Sequence, residues 1–164
     1  LMGRQLLPLL EMMRLRSGPQ DLPASLGITL LLAALYIISG FVAGGVLDEA
    51  VYGERTLVAV GLQLIAVGLL LNVRGLQSRL LQTVAALAGT GLLFGLASIA
   101  ILSWINPEQP QTGLAVSYLG LFLWSLAVDG HIYRHALSIK LGTGVLLAVA
   151  VFAINLFVLK ALFG

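Results

Sequence analysis

Cysteine is absent from the 164 residues, which excludes disulfides and thiolate metal sites. Charge is scarce. Asp, Glu, Lys and Arg together make up 10% of the chain, where a soluble domain carries about 25%. The formal net charge of +2 is too small to point to a nucleic-acid partner. No nucleophile elbow, P-loop, dinucleotide fingerprint, HExxH or CxxC occurs, so the sequence gives no sign of catalytic chemistry and no cofactor is expected.

What remains is apolar. Hydrophobic residues make up 59% of the chain, and the mean hydropathy is +1.03. A soluble fold of this size could not hide so much apolar surface, whereas a bilayer removes the problem by being the solvent. A spanning helix needs about 20 mostly apolar residues, because each adds about 1.5 Å across a hydrocarbon core of about 30 Å. Five stretches meet that requirement: 26–47, 56–73, 81–105, 113–128 with a continuation toward Tyr133, and 141–159. Each run is continuous rather than alternating, which selects helix over a membrane barrel strand. The predicted fold is an all-α, polytopic transmembrane helix bundle.

The charges give that bundle an orientation. With the N-terminus inside, the inner segments hold Arg4, Arg14, Arg16, Arg74, Arg79, Arg134 and Lys140, and the outer ones hold only Arg55 and Lys160. That asymmetry follows the positive-inside rule. It predicts five spans, N-terminus in and C-terminus out, as in a multi-pass protein of a bacterial inner membrane.

Residues 1–24 read as a separate element ahead of the bundle at 25–164. Arg4, Glu11 and three prolines argue against a cleavable signal peptide. Leu6, Leu9, Leu10 and Met13 share one helical face, with Arg4, Glu11 and Arg14 opposite. Such a segment is expected to lie along the inner interface, where Arg4, Arg14 and Arg16 meet anionic headgroups. Gly18 and Pro19 stop the helix, and Asn106-Pro107 is expected to end the third span.

The densest polar cluster is Asp129-Gly130-His131-Ile132-Tyr133-Arg134-His135. His131 and His135 are four apart and share a helix face. With Asp129 they form a candidate metal or proton site. The blander reading is a helix end whose Arg134 and His135 reach into the headgroups. Two GxxxG pairs, Gly40 with Gly44 and Gly91 with Gly95, suit close helix packing, either within the chain or between subunits, and Gly142 and Gly144 open the last span. Asn155 lies deep in that span, where an amide usually bonds across helices.

Over nearly the whole chain the plan resembles the bacterial branch of the Yip domain family of small five-span membrane proteins. The likeness rests on Arg14-Leu15-Arg16-Ser17-Gly18-Pro19 ahead of the first span, on Leu123-Trp124-Ser125-Leu126, and on Tyr133-Arg134-His135-Ala136-Leu137-Ser138 before a final span rich in small residues. It implies a non-enzymatic role in membrane organisation. The leading expectation is an accessory or structural protein that associates through its helices with itself or with other membrane subunits, with the lipid bilayer as its medium. The alternative is a transporter, channel, or metal- or proton-handling subunit built on residues 129–135.

Overall fold

The computed structural model describes residues 3–106 and 108–164; the side chains at 4 and 5 lie outside that description, so the expected membrane-surface role of Arg4 cannot be placed. Six α-helices follow one another, α1 (Gly3–Met13), α2 (Leu26–Val46), α3 (Tyr52–Val73), α4 (Leu80–Leu102), α5 (Thr112–Leu137) and α6 (Leu141–Phe163), with no strand among the described residues. The last five are long and apolar enough to cross a membrane. The chain is a multi-pass helical membrane protein.

Helix boundaries follow local chemistry. The side chain of Ser25 caps α2 by accepting from the Ile28 amide. A 3-10 turn over Gln77–Arg79 leads into α4. Helix α4 stops at Leu102, before Asn106, and Pro107 lies outside the described residues. Helix α5 closes on Ser138 in the left-handed region, at φ 54°. The second and fourth spans are longer than the sequence predicted, extending to Tyr52–Val73 and Thr112–Leu137. The polar residues 129–135 therefore sit inside α5 and do not flank it.

The five long helices form a closed ring in which α2 packs on α3 and α4, α5 packs on α4 and α6, and α3 touches α6. One end, the basic end, carries Arg74, Arg79 and Lys140; the loops at 47–51, 103–106 and 108–111 lie at the other. Packing is tightest where glycine replaces a side chain. A Cβ on Gly130 would stand 2.6 Å from the Val145 Cα, and one on Gly144 would strike the Gly130 carbonyl, so α5 and α6 touch almost backbone to backbone. Gly40 faces Thr56, and Gly44 faces the Glu49 carbonyl and Tyr52, so this pair seats α2 on α3.

Helix α1 lies on the outside of the ring against α4 and α5. Leu9 and Met12 are fully buried there, and the Leu9 side chain fills the notch at Gly89. Gly89 is nine residues into α4, about 14 Å from its start at about 1.5 Å per residue. The apolar face expected for this segment is thus divided: Leu9 and, partly, Met13 meet protein, while Leu6 and Leu10 remain exposed, and the fully buried Met12 was not on the expected face.

Candidate functional site

Helix α5 carries two stripes of polar and aromatic residues on different sides, and the structure treats them differently. Tyr118, Phe122, Ser125, Asp129 and Tyr133 recur every three or four residues and so lie on one face. They border a cavity of about 420 Å³ between α2, α3, α5 and α6. Arg55, Thr56 and Gln63 of α3, Tyr36 of α2, and Phe152 and Asn155 of α6 complete much of its wall. A second space of about 210 Å³ adjoins it toward α4, and Tyr36, Tyr52, Thr56, Ser125 and Asp129 border both.

The local cause is a row of small side chains. Ser39, Gly40 and Ala43 on α2 and Gly91, Gly95 and Ser98 on α4 line the second space. Facing helices that present hydrogens, methyls and hydroxyls leave volume that larger side chains would fill. The Gly91 and Gly95 pair thus borders this space beside Tyr36 and Ser39.

Polar groups around the cavity are short of partners. Among the described residues, no basic side chain pairs with Asp129 and no hydrogen bond reaches its carboxylate. The Tyr133 hydroxyl and the Asn155 amide oxygen are buried without a hydrogen-bond partner. Asn155 spends its amide N–H₂ on the Val151 carbonyl of its own helix, at 3.2 Å, where the sequence predicted a bond between helices. Buried polar groups normally find partners, so an unpaired set around one cavity marks a place for a visiting molecule or water. The one basic side chain in the cavity wall, Arg55, stands in the first turn of α3, is bonded to Glu49 and lies over the Phe163 ring at 5.9 Å.

Asp129 is eight residues from the end of α5, about 12 Å along the helix. Arg134 and His135, by contrast, lie in the last turn of α5, with Arg134 exposed, as the helix-end reading expected of them.

The second stripe is Trp124, His131 and His135, and it faces the N-terminal segment. Trp124 Nε1 donates to the Met13 carbonyl at 2.9 Å. His131 is 3% exposed and its Nε2 donates to the Ser17 carbonyl at 2.9 Å. The two imidazoles stand edge to face with centroids 4.5 Å apart. Ser17 bonds back to the Pro8 carbonyl, and Gln82 of α4 holds the Leu22 carbonyl.

The structure therefore keeps the two histidines together but separates them from Asp129. Positions 129 and 131 are two apart, about 200° around a helix, and cannot share a face. No group of three or more His, Asp or Glu among the described residues could hold a metal ion. The expectation of a joint Asp129–His131–His135 site is corrected on that ground.

At the basic end two arginines tie down α5. Arg79 Nη1 donates to the carbonyls of His135 and Ala136, at 3.2 and 3.0 Å, and to the Ser138 hydroxyl at 2.9 Å. Arg74 Nη2 reaches the Leu137 carbonyl at 3.2 Å. Positive charge there complements the helix dipole and satisfies carbonyls that lack intrahelical partners. Topology counting treated these arginines only as inner charges. Arg14 and Arg16 are exposed, and Arg14 pairs with Glu11 at 3.4 Å.

Sequence reasoning missed the tyrosines. The chain has four, and Tyr36, Tyr52, Tyr118 and Tyr133 all border the same cavity. They come from three helices, so only α5's 118–133 register was available from spacing alone. No protein-family model, curated protein or solved structure matches this chain.

Proposed function

We propose that this protein binds a polar solute within the membrane, in the cavity bordered by Asp129, and acts as a small solute-handling membrane subunit. The observation that carries the reading is the unpaired carboxylate of Asp129 beside a 420 Å³ space in a ring of apolar helices. An ionisable group inside a membrane span is costly, by about 3 kcal/mol on insertion scales, and such groups characteristically mark solute or ion pathways. The volume falls in the range of small-molecule sites, about 300–1,000 Å³. A purely structural bundle would gain by replacing Asp129 and filling the space.

The accessory role through helix association draws less support. Gly40 and Gly44 seat α2 on α3, and Gly91 and Gly95 border a cavity, so neither pair is left over for a partner. The inside position of the N-terminus and the bacterial inner membrane belong to this proposal, supported by the basic asymmetry and the five spans, whereas the likeness to the Yip domain plan goes with the accessory role.

The test is a thermal-shift screen of the purified protein in nanodiscs against small cationic, anionic and neutral solutes. At least one solute should raise the unfolding temperature, and the shift should vanish in Ser125→Phe, whose ring would occupy the cavity. A panel in which no solute stabilises the folded wild type overturns the reading.

A further inference from the structure

We infer that the solute is an organic cation, of the size and kind of a small alkyl- or aryl-ammonium, held by the Asp129 carboxylate within an aromatic enclosure. The inference rests on the cavity-binding reading above and adds the substrate class to it.

Three observations select a cation. The cavity's one acidic side chain, Asp129, has no basic partner among the described residues, so the wall carries an uncompensated negative group. The one basic side chain in the wall, Arg55, is already bonded to Glu49, near the far end of α3. An anionic solute would meet the carboxylate directly. The Thr56, Ser125 and tyrosine hydroxyls and the Gln63 and Asn155 amide oxygens of the wall can each accept a hydrogen bond from a donor, which an ammonium supplies in number.

Three further observations select an organic cation over a bare metal ion. Metal ions of the calcium class take six to eight oxygen ligands and smaller ones a tight octahedron, but no group of acidic or histidine side chains among the described residues could hold a metal. A volume of about 420 Å³ is also far larger than a bare ion requires. The walls are aromatic as well: all four tyrosines of the chain border the cavity, and the Phe122 and Phe152 rings stand edge to face at 4.9 Å beside them. Aromatic rings attract ammonium groups through their negative faces, and the attraction grows when water is excluded. Tyrosine adds a hydroxyl at the rim of each ring.

The experiment measures binding of choline and benzyltrimethylammonium to the whole protein in nanodiscs. The uncharged carbon isostere of choline, benzoate and Mg²⁺ serve as comparisons. Choline and benzyltrimethylammonium should bind, with the neutral isostere weaker by about tenfold or more, which is the loss of one charge-assisted contact. Asp129→Asn should weaken the cations by a similar factor without weakening the isostere. Tyr118→Leu, at a partly exposed ring away from the tight packing, should weaken benzyltrimethylammonium several-fold and serves where Asp129→Asn does not yield folded protein. Equal binding of the neutral isostere, or preferential binding of benzoate or Mg²⁺, overturns the cation assignment while leaving the cavity reading in place. Failure of every solute overturns both.

Discussion

Two faces of one helix, α5, show how differently this protein treats its polar residues. On the side toward the N-terminal segment, Trp124 and His131 each donate to a main-chain carbonyl, and His135 packs on His131. On the cavity side, Asp129 has no cationic partner and Tyr133 leaves its hydroxyl unpaired, each two residues away from the hydrogen-bonded His131. Hydrogen-bonded polar groups hold a fold together, and unpaired ones cost stability unless something visits them. The contrast separates the face of α5 that ties down the N-terminal segment from the face proposed to meet a solute, and it divides the candidate trio, leaving Asp129 at the cavity without His131 and His135.

The strongest way to break the contrast is to disturb the contact that sets both faces in place. Gly130→Val would push a branched side chain into the Val145 backbone, 2.6 Å from where its Cβ must go. Helix α6 forms one wall of the cavity, so the same change should distort the site. We expect a loss of about 3 kcal/mol, the upper range for overpacking, read as a lowered unfolding temperature in nanodiscs, together with loss of solute-dependent stabilisation. Next in size is Arg79→Ala, which strips three acceptors at the end of α5. Charged hydrogen bonds of this kind contribute about 1.5–3 kcal/mol. The expected cost is about 2 kcal/mol with solute binding retained, because the cavity lies farther along the helix.

The engaged face should show a smaller effect of its own. His131→Ala removes the bond to Ser17 and leaves that buried carbonyl short of a donor. About 1–2 kcal/mol should be lost, and hydrogen exchange at residues 6–22 should speed up while exchange in α6 does not. Elemental analysis of the purified wild type should find no stoichiometric metal that the double variant His131→Ala, His135→Ala loses, since two imidazoles make at most half of a zinc site. A full metal equivalent would return the histidines to the functional side. The smallest change should carry the opposite sign. Asp129→Asn removes an unpaired charge from the membrane interior and should raise stability by about 1 kcal/mol, as is common when a functional residue is replaced by a neutral one. Destabilisation instead would make Asp129 a structural partner and erase the contrast.

Much of the fold was legible because bilayer physics writes itself into long apolar runs. The helices α2 and α6 begin at Leu26 and Leu141, where the uncharged runs begin. The fourth span was hardest to read for a reason connected to function. Its mean hydropathy is 1.4, against 2.1 to 2.5 for the others, because the cavity stripe and the histidine stripe both replace apolar residues in it. A helix that carries a site looks least like a span. The separation of Asp129 from His131 is also readable, since two residues along a helix point to opposite sides and closeness in sequence is not closeness in space.

Sequence alone determined that the chain lives in a bilayer as five helices, because continuous apolar length and the absence of charge depend on no other part of the chain. It pointed too to an amphipathic helix within residues 1–24, ahead of Gly18 and Pro19, since that pattern is local. Tertiary structure decided the rest. It brought Tyr36, Tyr52 and Asn155 from three other helices to the α5 stripe, docked Leu9 at Gly89, closed α5 on α6 at Gly130 and Gly144, and turned Arg74 and Arg79 into caps for a helix more than 50 residues away. Each depends on which helix faces stand opposite one another. Inside lipid that choice is made by close packing of small residues and by interhelical hydrogen bonds, and a periodic pattern along one helix carries no record of its neighbour.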